Sequence, residues 1–427
     1  MYKRKKRVPL PKNDKKLVNS WCMYDWANSV YSLTVATAIL PPYFSAMTGG
    51  REGMLYGLKN SSVYAYIISA AFLLVALANP ILSAIADSGN NKRSFMRFFC
   101  VLGSLSCMSL YFFDELTIWV GVVFSGLAAV GFCGSLVFYN AFLPEITTVD
   151  RFDAVSAKGF SLGYLGSVLL LVVNLIMVQV VFPDSTMGPK LCFVTVGIWW
   201  FGFAQITFNN LHEERQKHAL AGVVSKGLNA FKSVLTEIKQ DKRITRFLCA
   251  FFIYSMGTQT VMYMATIYGG EVVGMDMSEL IILVLILQLV AIGGSYFFAW
   301  VSKKKGNIMA IISTISLWIV ICVAAYFVQE GMKATFYIIG GLVGVVMGGI
   351  QSLSRSTYAK FIPEETPMTS SYFSFYETLE KVSIAIGAFV FGFISDVTGS
   401  MQNSALALTV FFVVALFILL KLRKVAL

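Results

Sequence analysis

Residues 139–145 read YNAFLPE and residues 358–364 read YAKFIPE. Tyr, Phe, Pro and Glu coincide, and Leu143 stands where Ile362 does. Each copy closes a long apolar run. A helix needs about 20 mostly apolar residues to cross a hydrocarbon core about 30 Å thick. Twelve runs of that kind can be read, near 17–45, 63–86, 95–113, 116–142, 158–182, 190–210, 246–269, 279–301, 307–328, 334–357, 370–396 and 402–420. The two copies end the fourth and the tenth run, so the repeat divides the chain into six and six. Because six is even, both halves enter the membrane in the same sense, as parallel repeats about an axis along the membrane normal. The expected fold class is an all-α membrane protein with twelve transmembrane helices in two parallel six-helix repeats. The expected organisation is a basic tail (1–16), a first bundle (17–210), a charged linker (211–245), a second bundle (246–421) and a short tail (422–427).

Composition agrees with this reading. Of 427 residues, 57% are hydrophobic and only 13% charged, and mean hydropathy is +0.70. One water-soluble core could not hide that much apolar surface. Charge is half the usual share, and its distribution is informative. With both termini in the cytoplasm, all but five of the 34 Lys and Arg fall on the inner side; the exceptions are Arg51, Lys59, Lys190 and Lys333 outside and Lys381 within a span. The positive-inside rule thus accounts for the net charge of +11, and a nucleic-acid partner is not expected. The partner is the lipid bilayer. Ala36-Thr37-Ala38 resembles a signal-peptide cleavage site, but Asp25 and Asn28 interrupt the apolar stretch, which reads as a retained span. The seven cysteines lie in or beside spans without a CxxC pair and read as packing residues. His212 and His218 sit in the charged linker and read as solvated. Neither a metal site nor a cofactor is expected.

Charge inside a span is expensive and usually faces a cavity or another charge. Four such residues stand well inside the span ends: Asp25 in span one and Glu377, Glu380 and Lys381 in span eleven. At about 1.5 Å per residue, Asp25 and Lys381 lie about 12 and 13 Å along their helices. An Asp25–Lys381 contact across a central cavity is one arrangement; Glu377, four residues before Lys381, is the competing partner. Polar stripes follow Asp25, Asn28 or Ser29, and Ser32 in span one, and Ser255, Gln259 and Tyr263 in span seven. Span ten is glycine-rich and then carries Gln351 and Arg355 one turn apart.

SAIAD (83–87) followed by Gly89, Lys92 and Arg93 resembles the loop between spans two and three of the major facilitator superfamily. In that reading Asp87 meets the positive N-terminal end of span eleven and forms a cytoplasmic gate with Lys92 and Arg93. The matching 8–9 connection, SKKKGN (302–307), has the Gly and the basic charge but no Asp, so a symmetric latch is not expected. SWCMYDWANSVYS (20–32), the segment 144–166, GGIQSLSRSTYAKFIPEE (348–365) and SFYETLEKVSIAIG (374–387) together resemble the vacuole-effluxer-like family of that superfamily. The resemblance implies a secondary transporter of a small polar solute, in some members an amino acid. By matching position it implicates Asp25, Trp26, Asn28, Gln351, Arg355, Tyr376 and Lys381. The short linker resembles bacterial members, which implies a cytoplasmic (inner) membrane location.

The expected mechanism is alternating access about a midplane site to which Asp25, Gln259, Glu377 and Lys381 contribute. A zwitterion would set its ammonium near Asp25 and its carboxylate near Lys381 or Arg355. A coupling proton at Asp25 or Glu377 is a weaker expectation, because a paired cation favours the charged carboxylate. An enzyme would need a nucleophile–base pair, metal cluster or phosphate loop, and none can be read. The alternatives are a peptide or cell-wall-fragment permease and a non-transporting sensor of the same fold. A monomer is compatible with all of these.

Overall fold

The computed structural model describes residues 10–49, 54–55, 57–89, 91–183, 185–211, 223–364 and 366–426. The tail before Leu10 and both histidines lie outside these residues. Among the described residues, twelve helices are long and apolar enough to cross a membrane: Lys15–Met47, Val63–Gly89, Lys92–Phe112, Glu115–Ile146, Val149–Val181 and Met187–Asn210, then Lys242–Glu271, Ser278–Lys305, Asn307–Tyr326, Lys333–Phe361, Thr369–Thr398 and Met401–Arg423. We number them spans one to twelve. The face on which span one begins and span twelve ends is called the terminal face. The described strands are a two-residue antiparallel pair, Met54–Leu55 with Leu58–Lys59, on the opposite face.

Local chemistry sets the helix ends. Asp14 accepts from the Leu17 amide (2.8 Å) and starts span one. Asp276 and Glu279 form a reciprocal capping box before span eight, both bonds 2.9 Å, and so satisfy two donors that a helix start would leave bare. Gly306, at φ 81°, permits the tight turn between spans eight and nine. The two cations expected outside that the structure describes most fully are both paired, Lys190 with Asp114 (2.6 Å) and Lys333 with Glu279 (2.7 Å). The Lys190 hydrogen bond holds the Asp114 carboxyl below the usual carboxylate range.

Span one departs from a uniform helix. Lys15–Val30 is α-helical, Tyr31–Ile39 is π-helical with the Leu40 amide reaching Val35, and Leu40–Met47 is α-helical again. Pro41 and Pro42, which have no N–H, follow this stretch and leave the Thr37 and Ala38 carbonyls without an α-register donor. Hydropathy is blind to this change.

The first six spans pack mainly on one another, as do the last six. Between the sets, span five meets spans eight and ten, and span eleven meets spans two and four. Spans eight and ten pack backbone to backbone: a Cβ at Gly348 would stand 2.1 Å from the Ala291 carbonyl oxygen. A further helix, Val223–Gln240, lies on the terminal face between spans six and seven. Its Val234 and Ile238 are buried, Phe231 stacks on Phe375 of span eleven (4.5 Å), and its Glu237 accepts from Tyr372 (2.6 Å). It also packs on span two, so it bridges both halves.

Candidate solute site and gate

Three polar layers lie between the halves, and the first is a double latch at the terminal face. Asp87, at the end of span two, accepts from the Ser370 and Ser371 amides (3.1 and 2.8 Å) and the Ser371 hydroxyl (2.8 Å). It thereby caps span eleven, where the helix dipole favours an anion. Lys92, wholly buried, donates to Glu145 and to Thr369 (2.7 Å); Arg93, on the same turn, is half-buried. A second latch closes the other side of the interface, with its acid in an unexpected place. Asp153, in the first turn of span five, accepts from Ser302, from Asn307 (2.7 Å) and from Lys360 (2.7 Å). The 8–9 connection does lack an Asp, and the first half supplies one to it.

Arg355 occupies the second layer. Its Nη1 lies 3.1 Å from Asp25 Oδ2 and 3.3 Å from Asn140 Oδ1. Its Nε and Nη2 donate to the Ser156 hydroxyl and carbonyl, both 2.9 Å. Tyr139 donates to the same Asp25 oxygen (2.7 Å) and stacks on Trp21 (4.4 Å). Arg355 and Asp25 are 2% and 4% exposed, so each is the buried countercharge of the other.

The third layer is Lys381 with its carboxylates. Its Nζ is 2.7 Å from Glu380 and 3.5 Å from Glu377. Gln259 of span seven donates to Glu380 (3.1 Å). Asn140 links the layers, since its Nδ2 donates to Glu377 (2.7 Å) while its oxygen accepts from Arg355. The Asp25–Lys381 contact is therefore not made, because both charges have closer partners. Gln351 accepts from Tyr164 across the interface, and Asn28 is buried with its Nδ2 making no hydrogen bond among the described residues. Trp26 and Tyr376 lie apart from the network. Trp26 stacks on Trp199 of span six (5.4 Å) and Tyr376 on Phe251 of span seven (4.2 Å). Among the described residues, no group of three His, Cys, Asp or Glu side chains is placed to hold a metal ion.

Beyond these layers, on the face opposite the termini, a cavity of about 1220 Å³ separates spans one, five and six from spans seven and eight. The π-helical part of span one contributes Thr37, Ala38 and Ile39 to its wall. Among the described residues, the two latches thus lie at the terminal face and this cavity at the other. Sequence reasoning did not single out Tyr139, Asn140, Ser156, Asp153 or Lys360. Three of these, Tyr139, Asn140 and Lys360, lie within the YNAFLPE and YAKFIPE copies, which served only to mark the repeat.

Residues 13–424 match the family described as vacuole effluxer Atg22 like. The uncharacterized MFS-type transporter YxiO of Bacillus subtilis is 29% identical over 406 residues, spanning 94% of this chain and 93% of that protein. Autophagy-related protein 22-1 of Penicillium rubens is 22% identical over 470 residues, 89% of this chain and 79% of that protein. Among solved structures, the human organic anion transporter MFSD10 superposes with a TM-score of 0.73 at 14% identity, covering 95% and 99% of the two chains. The Escherichia coli fucose:proton symporter FucP does so with a TM-score of 0.67 at 15% identity, covering 95% and 97%. These likenesses give the fold. The chain is a multi-pass membrane transporter of the major facilitator superfamily and belongs to its vacuole effluxer Atg22-like family.

Proposed function

We propose that the chain moves a small polar solute, with amino acids as the first class to test, by alternating access across a bacterial cytoplasmic membrane with its terminal face in the cytoplasm. The observation that carries this reading is the division between a crevice open on one face and two latches closing the other, with buried charge between them. Residues 17–210 and 246–421 act as the two rocking bundles, and 211–245 joins them. The cation bias of the connections supports the orientation. The solute enters the crevice and meets the polar layer of Asn28, Gln259, Gln351, Glu377 and Lys381, with Asp25 and Arg355 beneath it; a proton at Glu377 is the coupling ion to test. Asp87, Lys92 and Arg93 serve the cytoplasmic gate. A crevice of about 1220 Å³ also has room for a peptide or cell-wall fragment, which is the second reading.

Solute-driven flux in proteoliposomes made with the full chain is the test. Asp25→Asn and Lys381→Ala should each reduce it at least tenfold. Parental flux in both variants would remove the proposed site, and solute binding without flux would favour a sensor.

A further inference from the structure

The first six spans form a socket, and the guanidinium of Arg355 fills it. Its Cζ lies 4.1 Å from the centroid of Phe160, 4.9 Å from that of Trp21 and 5.4 Å from that of Tyr139. Asp25 supplies the countercharge at 3.1 Å, and Ser156 supplies two acceptors. All of these partners belong to spans one, four or five, whereas Arg355 comes from span ten. The socket is also cut to size. A Cβ on Gly159 would stand 2.5 Å from Asp25 Oδ2 and 3.0 Å from Arg355 Nη2.

Aromatic faces around a carboxylate are a receptor for an organic cation, because ring quadrupoles attract positive charge and the acid neutralises it. Opening the terminal face would withdraw span ten and leave the socket with its anion, rings and acceptors. Lys158, on the adjoining turn, donates to Asn19. A buried carboxylate left without a counterion is costly.

We propose that the vacated socket binds the cationic head of the transported solute, an ammonium or guanidinium group, and that Arg355 is a tethered cation that takes its place on closure. The proposal rests on the alternating-access reading above and narrows the solute class to molecules with such a head. Return of Arg355 to Asp25 would then expel the head toward the crevice, and a solute with only anionic groups would gain nothing from the socket.

The test uses methylguanidinium as probe and the purified full chain, with sodium chloride at matched ionic strength as control. Opening the latches with Asp87→Ala and Asp153→Ala should give saturable thermal stabilisation by the probe, several-fold weaker in the parent, whose socket is filled. Arg355→Ala alone empties the socket without altering the latches and should respond as well, which keeps the test decisive if the double variant does not fold. Phe160→Leu, and more strongly Trp21→Leu, should weaken the response about threefold or more in either background. A response no greater than with sodium chloride, equal in the parent, or indifferent to Phe160 and Trp21 would overturn the proposal. Flux separates this from the wider reading. Transport confined to solutes without a cationic head sinks the socket and spares alternating access. Absence of all flux alongside ring-dependent probe binding does the reverse.

Discussion

The Asp25–Arg355 pair and the Lys381 cluster lie close together in the bundle, joined by Asn140, yet they are built on opposite plans. Asp25 and Arg355 come from different halves, as do Tyr139, Ser156 and Asn140 relative to Arg355. Lys381, Glu377, Glu380 and Gln259 all belong to the last six spans. Relative motion of the halves must break the first group and can leave the second intact. On the proposed alternating-access reading, the first group reports and controls the state of the gate, while the second travels with its half as a fixed polar surface. Backbone-to-backbone packing of spans eight and ten, in the same half, suits such rigid transport.

The strongest challenge to this contrast is Arg355→Ala. It strands a buried carboxylate and should weaken the closed terminal face by about 3–5 kcal/mol, with Asp25→Asn in the same chain restoring much of the loss. Cross-linking of cysteines placed in spans two and eleven would read this, and unchanged cross-linking would undo the distinction. Lys381→Met should lower flux tenfold or more while leaving that cross-linking within about twofold; a large loss of closure would mean that the cluster is part of the gate. Next come Asp87→Ala and Asp153→Ala. The first removes the cap of span eleven, worth about 0.5–2 kcal/mol; the second removes the carboxylate that Ser302, Asn307 and Lys360 share. The partners named above for the two sites do not overlap, so their effects on cross-linking should add. The smallest expected effect is Tyr372→Phe, which removes one hydrogen bond to Glu237, about 0.5–1.5 kcal/mol, and should raise opening a few-fold.

Much of the architecture was legible from the chain. Apolar runs located the spans because a bilayer demands length and composition that few other environments do. The Lys381–Glu377 pair was also legible, since i,i+4 neighbours are set by helix geometry alone. Partners brought together by tertiary packing were not. Equal depth matches Asp25 with Lys381, but depth does not give rotation about the helix axis, and Arg355 faces Asp25. The 8–9 connection has no acid of its own, and only the fold brings Asp153 of span five to it. The π-helical stretch of span one left no trace in hydropathy.

The helix Val223–Gln240 grips span eleven through Phe231 and Glu237 and also packs on span two. On the proposed alternating-access reading, its free energy of docking is part of the balance between the two open states. Thermodynamic reciprocity follows: any agent that binds this surface helix better in one state must change the affinity for transported solute, and saturating solute must change the affinity for that agent by the same factor. A connection between bundles becomes, in this sense, an address at which transport can be read from outside the membrane.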